Sequence, residues 1–155
     1  RTGVNIEPET IAKLATDCKN IIAVKEASGS LDQMSRIIAL CGSKITMLSG
    51  DDSLTLPLMA IGGEGIISVV ANIIPKDVKA MVSAFNEGDI RLAQQLHFKM
   101  LPLIKAVFIE TNPIPVKTAM GLMGLCEPSL RLPMCEMMPE NLAKLKTALK
   151  EYGLI

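Results

Sequence analysis

Apolar positions follow two alternating periods through the first half of the chain and only one through the second. In residues 7–18, Ile11, Leu14 and Ala15 recur at helical spacing behind Pro8, with Glu9 in the first turn. Residues 21–29, Ile-Ile-Ala-Val-Lys-Glu-Ala-Ser-Gly, read as a short buried strand carrying one lysine, then a small-residue loop. Ser30 is placed to cap a helix over 31–40, with Met34, Ile37, Ile38 and Cys41 on one stripe and Gly42 as its stop. A second strand over 45–48 ends in Ser49-Gly50-Asp51-Asp52, a helix over 53–60 stops at Gly62-Gly63, and a third, nearly all-apolar strand runs over 65–71 to Asn72. From there only the helical period remains. Helices are predicted from Pro75 to Phe85, closed by Gly88, and from Asp89 to Glu110. Thr111-Asn112-Pro113-Ile114-Pro115 is a break, a shorter helix reaches Gly124, and Pro139 opens a last one that ends near Tyr152-Gly153.

Successive strand and helix alternations predict an α/β fold with a parallel sheet and helical crossovers. Strands as apolar as 65–71 suit such a sheet, whose two faces are both covered. The glycine-rich Gly62-Gly63-Glu64-Gly65 precedes a strand rather than following one, which is the wrong context for a phosphate-cradling loop.

Composition narrows the function classes. Of 155 residues 49% are hydrophobic but only 3% aromatic, so the core must be aliphatic. Sixteen basic and sixteen acidic residues cancel, and no Lys/Arg block is present, which argues against nucleic acid or an anionic membrane as partner. No apolar run is long enough to span a bilayer, and a soluble protein is expected. The chain opens with Arg1-Thr2-Gly3, which reads as the end of a loop in a longer polypeptide. Cys18, Cys41, Cys126 and Cys135 form no Cys-x-x-Cys spacing and are expected to be small reduced core residues. The single histidine, His97, lies in a helical stretch and is expected to be satisfied or exposed rather than a metal ligand.

Strand alternation puts Lys25 on one face with Ala23 and Ala27, opposite Ile22 and Val24. Burial there would disfavour the ammonium form and make the amine nucleophilic; alternatively the stem lies along apolar surface and the head reaches water. Polar residues gather after all three strands: Lys25, Glu26 and Ser28, then Ser49, Asp51 and Asp52, then Ser68 and Asn72. Ligands of parallel sheets collect at strand C-termini, so this convergence favours chemistry at Lys25. Asp51-Asp52 reads as a helix N-cap with dipole-complementing charge, Asp52 being expected to act as a capping acid, and Asn72 reads as a turn residue.

Lys-Glu-Ala-Ser-Gly, Leu-Ser-Gly-Asp-Asp, Gly-Ile-Ile-Ser-Val-Val-Ala-Asn, Asn-Pro-Ile-Pro-Val-Lys and Leu-Arg-Leu-Pro-Met, in that order, resemble the dihydrodipicolinate synthase family of pyruvate-dependent class I aldolases. The resemblance implies the second half of a (β/α)8 TIM barrel, strands six to eight, within residues 1–88, followed by a C-terminal helical extension over 89–155. It implies that Lys25 forms a Schiff base with pyruvate, and that the derived enamine attacks aspartate semialdehyde in lysine (diaminopimelate) biosynthesis. Arg1 would pair with a substrate carboxylate at the site entrance, the Ile67 backbone carbonyl would lie beside pyruvate, Gly50 would leave room near the lysine, and Leu31 would fall where dimers pack into tetramers. No metal or dissociable cofactor is implied. The implied partners are the N-terminal half of the barrel, which brings the proton-relay hydroxyls, and further copies of the protein in the cytoplasm. N-acetylneuraminate lyase and 2-keto-3-deoxy sugar acid aldolases share the lysine chemistry and are the near alternatives; an inert assembly fragment is the distant one.

Overall fold

The parallel sheet that organises the first part of the chain is seen in a computed structural model that describes residues 3–155. Contacts divide the chain into two compact units, one ending at Ser68 and the other spanning Val69–Ile155. In the first unit the order is α1 (Pro8–Asp17), β1 (Ala23–Glu26), α2 (Leu31–Cys41), β2 (Thr46–Ser49), α3 (Thr55–Ala60) and β3 (Gly65–Ile66). The strands form a three-stranded parallel sheet in the order β1-β2-β3, with Lys25 opposite Leu48 and Leu48 opposite Gly65. Helix α2 starts where its sequence says it should: the Ser30 hydroxyl accepts the Gln33 amide at 3.1 Å, and Gly42 ends the helix at φ +54°.

Helices α1, α2 and α3 pack on one face of this sheet, around Ile11, Met34, Ile37, Cys41, Ile45, Met47 and Leu58. The strands alternate accordingly. Glu26, Met47 and Ser49 are buried on that side, whereas Ala23 and Lys25 are exposed on the other and Thr46 and Leu48 are half-buried. The expected buried strand around Lys25 is therefore buried on one face only, because the helices of the unit all lie on the opposite side.

The third strand is also shorter than the apolar run over 65–71 predicts. Strand β2 ends at Ser49, so the ladder has no partner beyond the Ser49–Ile66 pair except the Ile67 amide, which donates to the Ser49 carbonyl at 2.8 Å. The chain then tightens into a 3₁₀ turn over Val70–Asn72.

The second unit contains α4 (Pro75–Asn86), α5 (Ile90–Val107), α6 (Ile114–Leu122) and α7 (Pro139–Tyr152). Helix α5 packs against α4, α6 and α7, and Met81, Ala93, Met100, Leu103, Leu145 and Leu149 are buried. Tyr152 at the end of α7 and Lys99 on α5 both donate to the Asp77 carboxylate at the start of α4, Lys99 at 2.8 Å. This pair holds the Asp77 carboxyl below its ordinary value, the Lys99 bond contributing most and the Tyr152 bond next.

Two expectations about single residues are corrected here. Only Cys41 is a buried cysteine; Cys18 is half-buried, and Cys126 and Cys135 are exposed in the irregular stretch between α6 and α7, where no regular element covers them. His97 is neither exposed nor fully satisfied. It is 9% exposed, its Nδ1 has no hydrogen-bond partner among the described residues, and burial lowers its pKa. Its position on the inward stripe of α5, one turn from Ala93 and Met100, outweighs the polarity of the ring.

Candidate active site

The C-terminal end of β1 opens onto a cavity. It has a volume of 590 Å³ and is lined on one side by Lys25, Glu26, Ala27 and Ser28, and on the other by the extended segment from Gly3 to Ile6. Lys25 projects from the face of β1 that the helices leave open. Of the two readings of Lys25, the exposed one holds within this chain.

Gly50 is the residue that gives the lysine its space. A Cβ at this position would stand 2.7 Å from the Ala27 Cβ, 2.8 Å from the Lys25 Cε and 3.1 Å from the Lys25 Cγ. Carbon atoms in contact normally lie about 3.5–4.0 Å apart, so no side chain fits without displacing one of these groups. The Gly50 amide also donates to the Glu26 carbonyl at 2.7 Å, which pins its backbone to the end of β1.

Of the two acids after β2, one caps as expected and the other does not. Asp51, not Asp52, is the cap: its carboxylate accepts the Ser53 amide at 3.0 Å and the Ser53 hydroxyl at 2.9 Å. Asp52 is turned inward, 3% exposed, and accepts a hydrogen bond from the Ser68 hydroxyl beyond β3. The physical reason lies in Ser49, whose buried hydroxyl accepts the Asp51 amide at 3.1 Å and donates to the Asp51 carbonyl at 2.7 Å, starting the turn one residue early.

Glu26, grouped with Lys25 and Ser28 in the sequence, is separated from the lysine by the alternation of the strand. It follows Lys25 and therefore points to the opposite, helix-covered face, where it is 4% exposed. A carboxylate there needs donors. It accepts the Ser28 amide at 2.6 Å and the Gln33 side-chain amide at 2.9 Å, so it shapes the loop that forms one wall of the cavity.

Lys25 and Gly50 are thus brought together. Ile67 lies just past β3 with its side chain 48% exposed, and Leu31 opens α2 with a partly exposed side chain. Asn72 donates from its side chain to the Val69 carbonyl at 2.9 Å, as a turn residue should. Arg1 lies outside the described residues. Among the described residues no group of three or more His, Cys, Asp or Glu side chains could hold a metal ion, and no helix is long and apolar enough to cross a membrane.

The sequence model of one family, described as the dihydrodipicolinate synthetase family, matches residues 1–152. The chain belongs to the dihydrodipicolinate synthetase family. It is 59% identical over 155 residues to the 4-hydroxy-tetrahydrodipicolinate synthase of Endomicrobium trichonymphae and 57% identical to that of Geobacter sulfurreducens. All of this chain aligns in both cases, with 53% of each relative. The crystal structure of dihydrodipicolinate synthase from Aquifex aeolicus superposes with a TM-score of 0.96 at 50% identity, over 99% of this chain and 53% of that one. The chain spans about half the length of the curated dihydrodipicolinate synthetase relatives it matches. Its three parallel strands and its helices are accordingly the second half of a TIM barrel with a helical extension.

Proposed function

We propose that this chain supplies the Schiff-base lysine and one side of the substrate pocket of a 4-hydroxy-tetrahydrodipicolinate synthase, which condenses pyruvate with aspartate semialdehyde in lysine biosynthesis. The observation that carries the proposal is Lys25 in the lining of a 590 Å³ cavity, with its stem packed against a glycine that has no room for a side chain. The neutral amine of Lys25 attacks the ketone carbon of pyruvate, and loss of water leaves an imine whose electron demand acidifies the methyl group. Loss of a methyl proton gives the enamine, and its carbon forms the new bond to the aldehyde. The imine is itself the electron sink, so this route uses neither a metal nor a dissociable cofactor.

In this reading Gly50 leaves the lysine free to reach the ketone, the Ile67 carbonyl faces the bound pyruvate, and Arg1 pairs with a substrate carboxylate through its bidentate guanidinium. Residues 1–88 belong to the barrel and 89–155 to the extension. The open face of the sheet supports a further element of the proposal. A parallel sheet is normally covered on both faces, and here Ala23 and Lys25 are bare on one. The N-terminal half of a barrel is the partner that would cover it, bring the proton-relay hydroxyls and desolvate the lysine. Leu31 would lie where copies of the enzyme associate, in the cytoplasm.

The test is turnover by the complete enzyme containing this chain. Pyruvate with aspartate semialdehyde is expected to be the productive pair, and pyruvate with N-acetylmannosamine is expected to be inactive. Preference for the sugar would assign the protein to the lyases that share the lysine chemistry.

A further inference from the structure

The wall of the cavity opposite Lys25 is an extended segment outside any helix or strand, with Val4 79% and Ile6 52% exposed. What fixes it is a pair of side-chain amides. Asn5 Nδ2 donates to Gln33 Oε1 at 2.7 Å, and Gln33 Nε2 donates back to Asn5 Oδ1 at 3.0 Å. The same Gln33 Nε2 donates to Glu26 Oε2 at 2.9 Å, and the other oxygen of Glu26 takes the Ser28 amide. Gln33 therefore joins the two walls through one side chain: Gly3 to Ile6 on one side, Lys25 to Ser28 on the other. Its own position is fixed because its backbone amide is the donor to the Ser30 cap of α2.

We propose that Gln33 is a positioning residue that sets the distance between the Lys25 wall and the Asn5 wall, and thereby the fit of the second, non-covalently held substrate. This deepens the proposed function and rests on it. Pyruvate is held by its covalent bond to Lys25, whereas the aldehyde is located by non-covalent contacts alone, to which the spacing of the walls contributes beside the carboxylate pairing proposed for Arg1. Loosening the Asn5 wall thus weakens aldehyde binding while leaving imine formation in place. Reciprocal amide bonds act as a unit, so losing either partner forfeits both.

The experiment is a double-substitution cycle in the complete enzyme, with Gln33→Ala, Asn5→Ala and both together. Each single change is expected to raise KM for the aldehyde about tenfold, the effect of losing one to two net hydrogen bonds, with a much smaller change in kcat. The double variant is expected to match the singles. Borohydride trapping of the pyruvate imine at saturating pyruvate should be unchanged in all three. Gln33→Glu, which keeps the length of the side chain but loses the donor to Glu26 and Asn5, should behave like Gln33→Ala. Effects that multiply in the double variant, an unchanged KM, or a loss confined to kcat in proportion to lost folded protein would overturn the proposal. Failure of the unmodified enzyme to form a pyruvate imine would overturn the proposed function first and this inference with it. Normal trapping with unaltered KM in the variants would overturn this inference alone.

Discussion

Gly50→Ala places one methyl group where three atoms already stand. The added carbon would lie 2.7 Å from the Ala27 Cβ and 2.8 Å from the Lys25 Cε. Ordinary contact begins at about 3.5 Å, so each pair must open by about 0.7–0.8 Å. The Ala27 Cβ is fixed to the backbone after β1, and the Gly50 backbone is tied to the Glu26 carbonyl at 2.7 Å. The flexible Lys25 stem yields most easily, and the amine at its end moves with it. Overpacking of this kind costs about 1–3 kcal/mol of stability, whereas a displacement near 1 Å at a reacting group costs about a hundredfold in rate. The two readouts therefore separate. The rate of borohydride-trapped imine formation with pyruvate should fall about a hundredfold per folded molecule, alongside a modest loss of thermal stability. Gly63→Ala is the control, because its added carbon would meet the Leu58 Cγ at 2.5 Å, in the packed core away from the lysine. It should lower the unfolding temperature and leave trapping per folded molecule unchanged. A Gly50→Ala enzyme that forms the imine at the unmodified rate would refute the role given to this glycine.

His97→Leu removes a buried ring whose Nδ1 is unpaired and should be neutral or stabilising by about 1 kcal/mol in urea unfolding. Because the folded pKa of His97 lies below its ordinary value of 6.5, the unfolded chain binds the proton first. Its contribution is intact above 6.5 and fades as pH falls through the folded value, at up to about 1.4 kcal/mol per pH unit; the leucine variant should lose that slope. Tyr152→Phe deletes a hydrogen bond to the Asp77 carboxylate and should cost about 1–2 kcal/mol at neutral pH. Asp77 is held below its ordinary value of 3.8, so its stabilisation is complete above that pH and is lost as pH falls through the lower folded value; the difference between Tyr152→Phe and the unmodified protein should shrink over the same acid range. Expressed by itself, the 155-residue chain should show no aldolase turnover and should self-associate through its open sheet face and edges, as read by light scattering.

The elements that carry local chemistry were legible from sequence. Ser30 and Gly42 bound α2, proline opens α1, α4 and α7, and Gly88 and Gly153 close α4 and α7 at positive φ. The parallel sense of the sheet followed from the alternation of strands and helices. What sequence could not carry depends on which neighbours each residue meets. The apolar run over 65–71 looks like one strand, but the length of β3 is set by where β2 stops. Asp51 and Asp52 are indistinguishable as letters; Ser49 decides which of them caps. Glu26 was open to discovery, since alternation puts it on the face away from Lys25, but the Asn5–Gln33 amide pair spans two elements and has no local signature. The exposure of Lys25 is equally non-local, because it depends on what covers the second face of the sheet.

Reduction with borohydride in the presence of pyruvate, followed by peptide mapping, tests the nucleophile directly in the complete enzyme. One pyruvate-derived adduct is expected, carried by the peptide that contains Lys25 and absent after Lys25→Ala. An adduct mapped to another lysine, or none in folded, substrate-saturated protein, would contradict it.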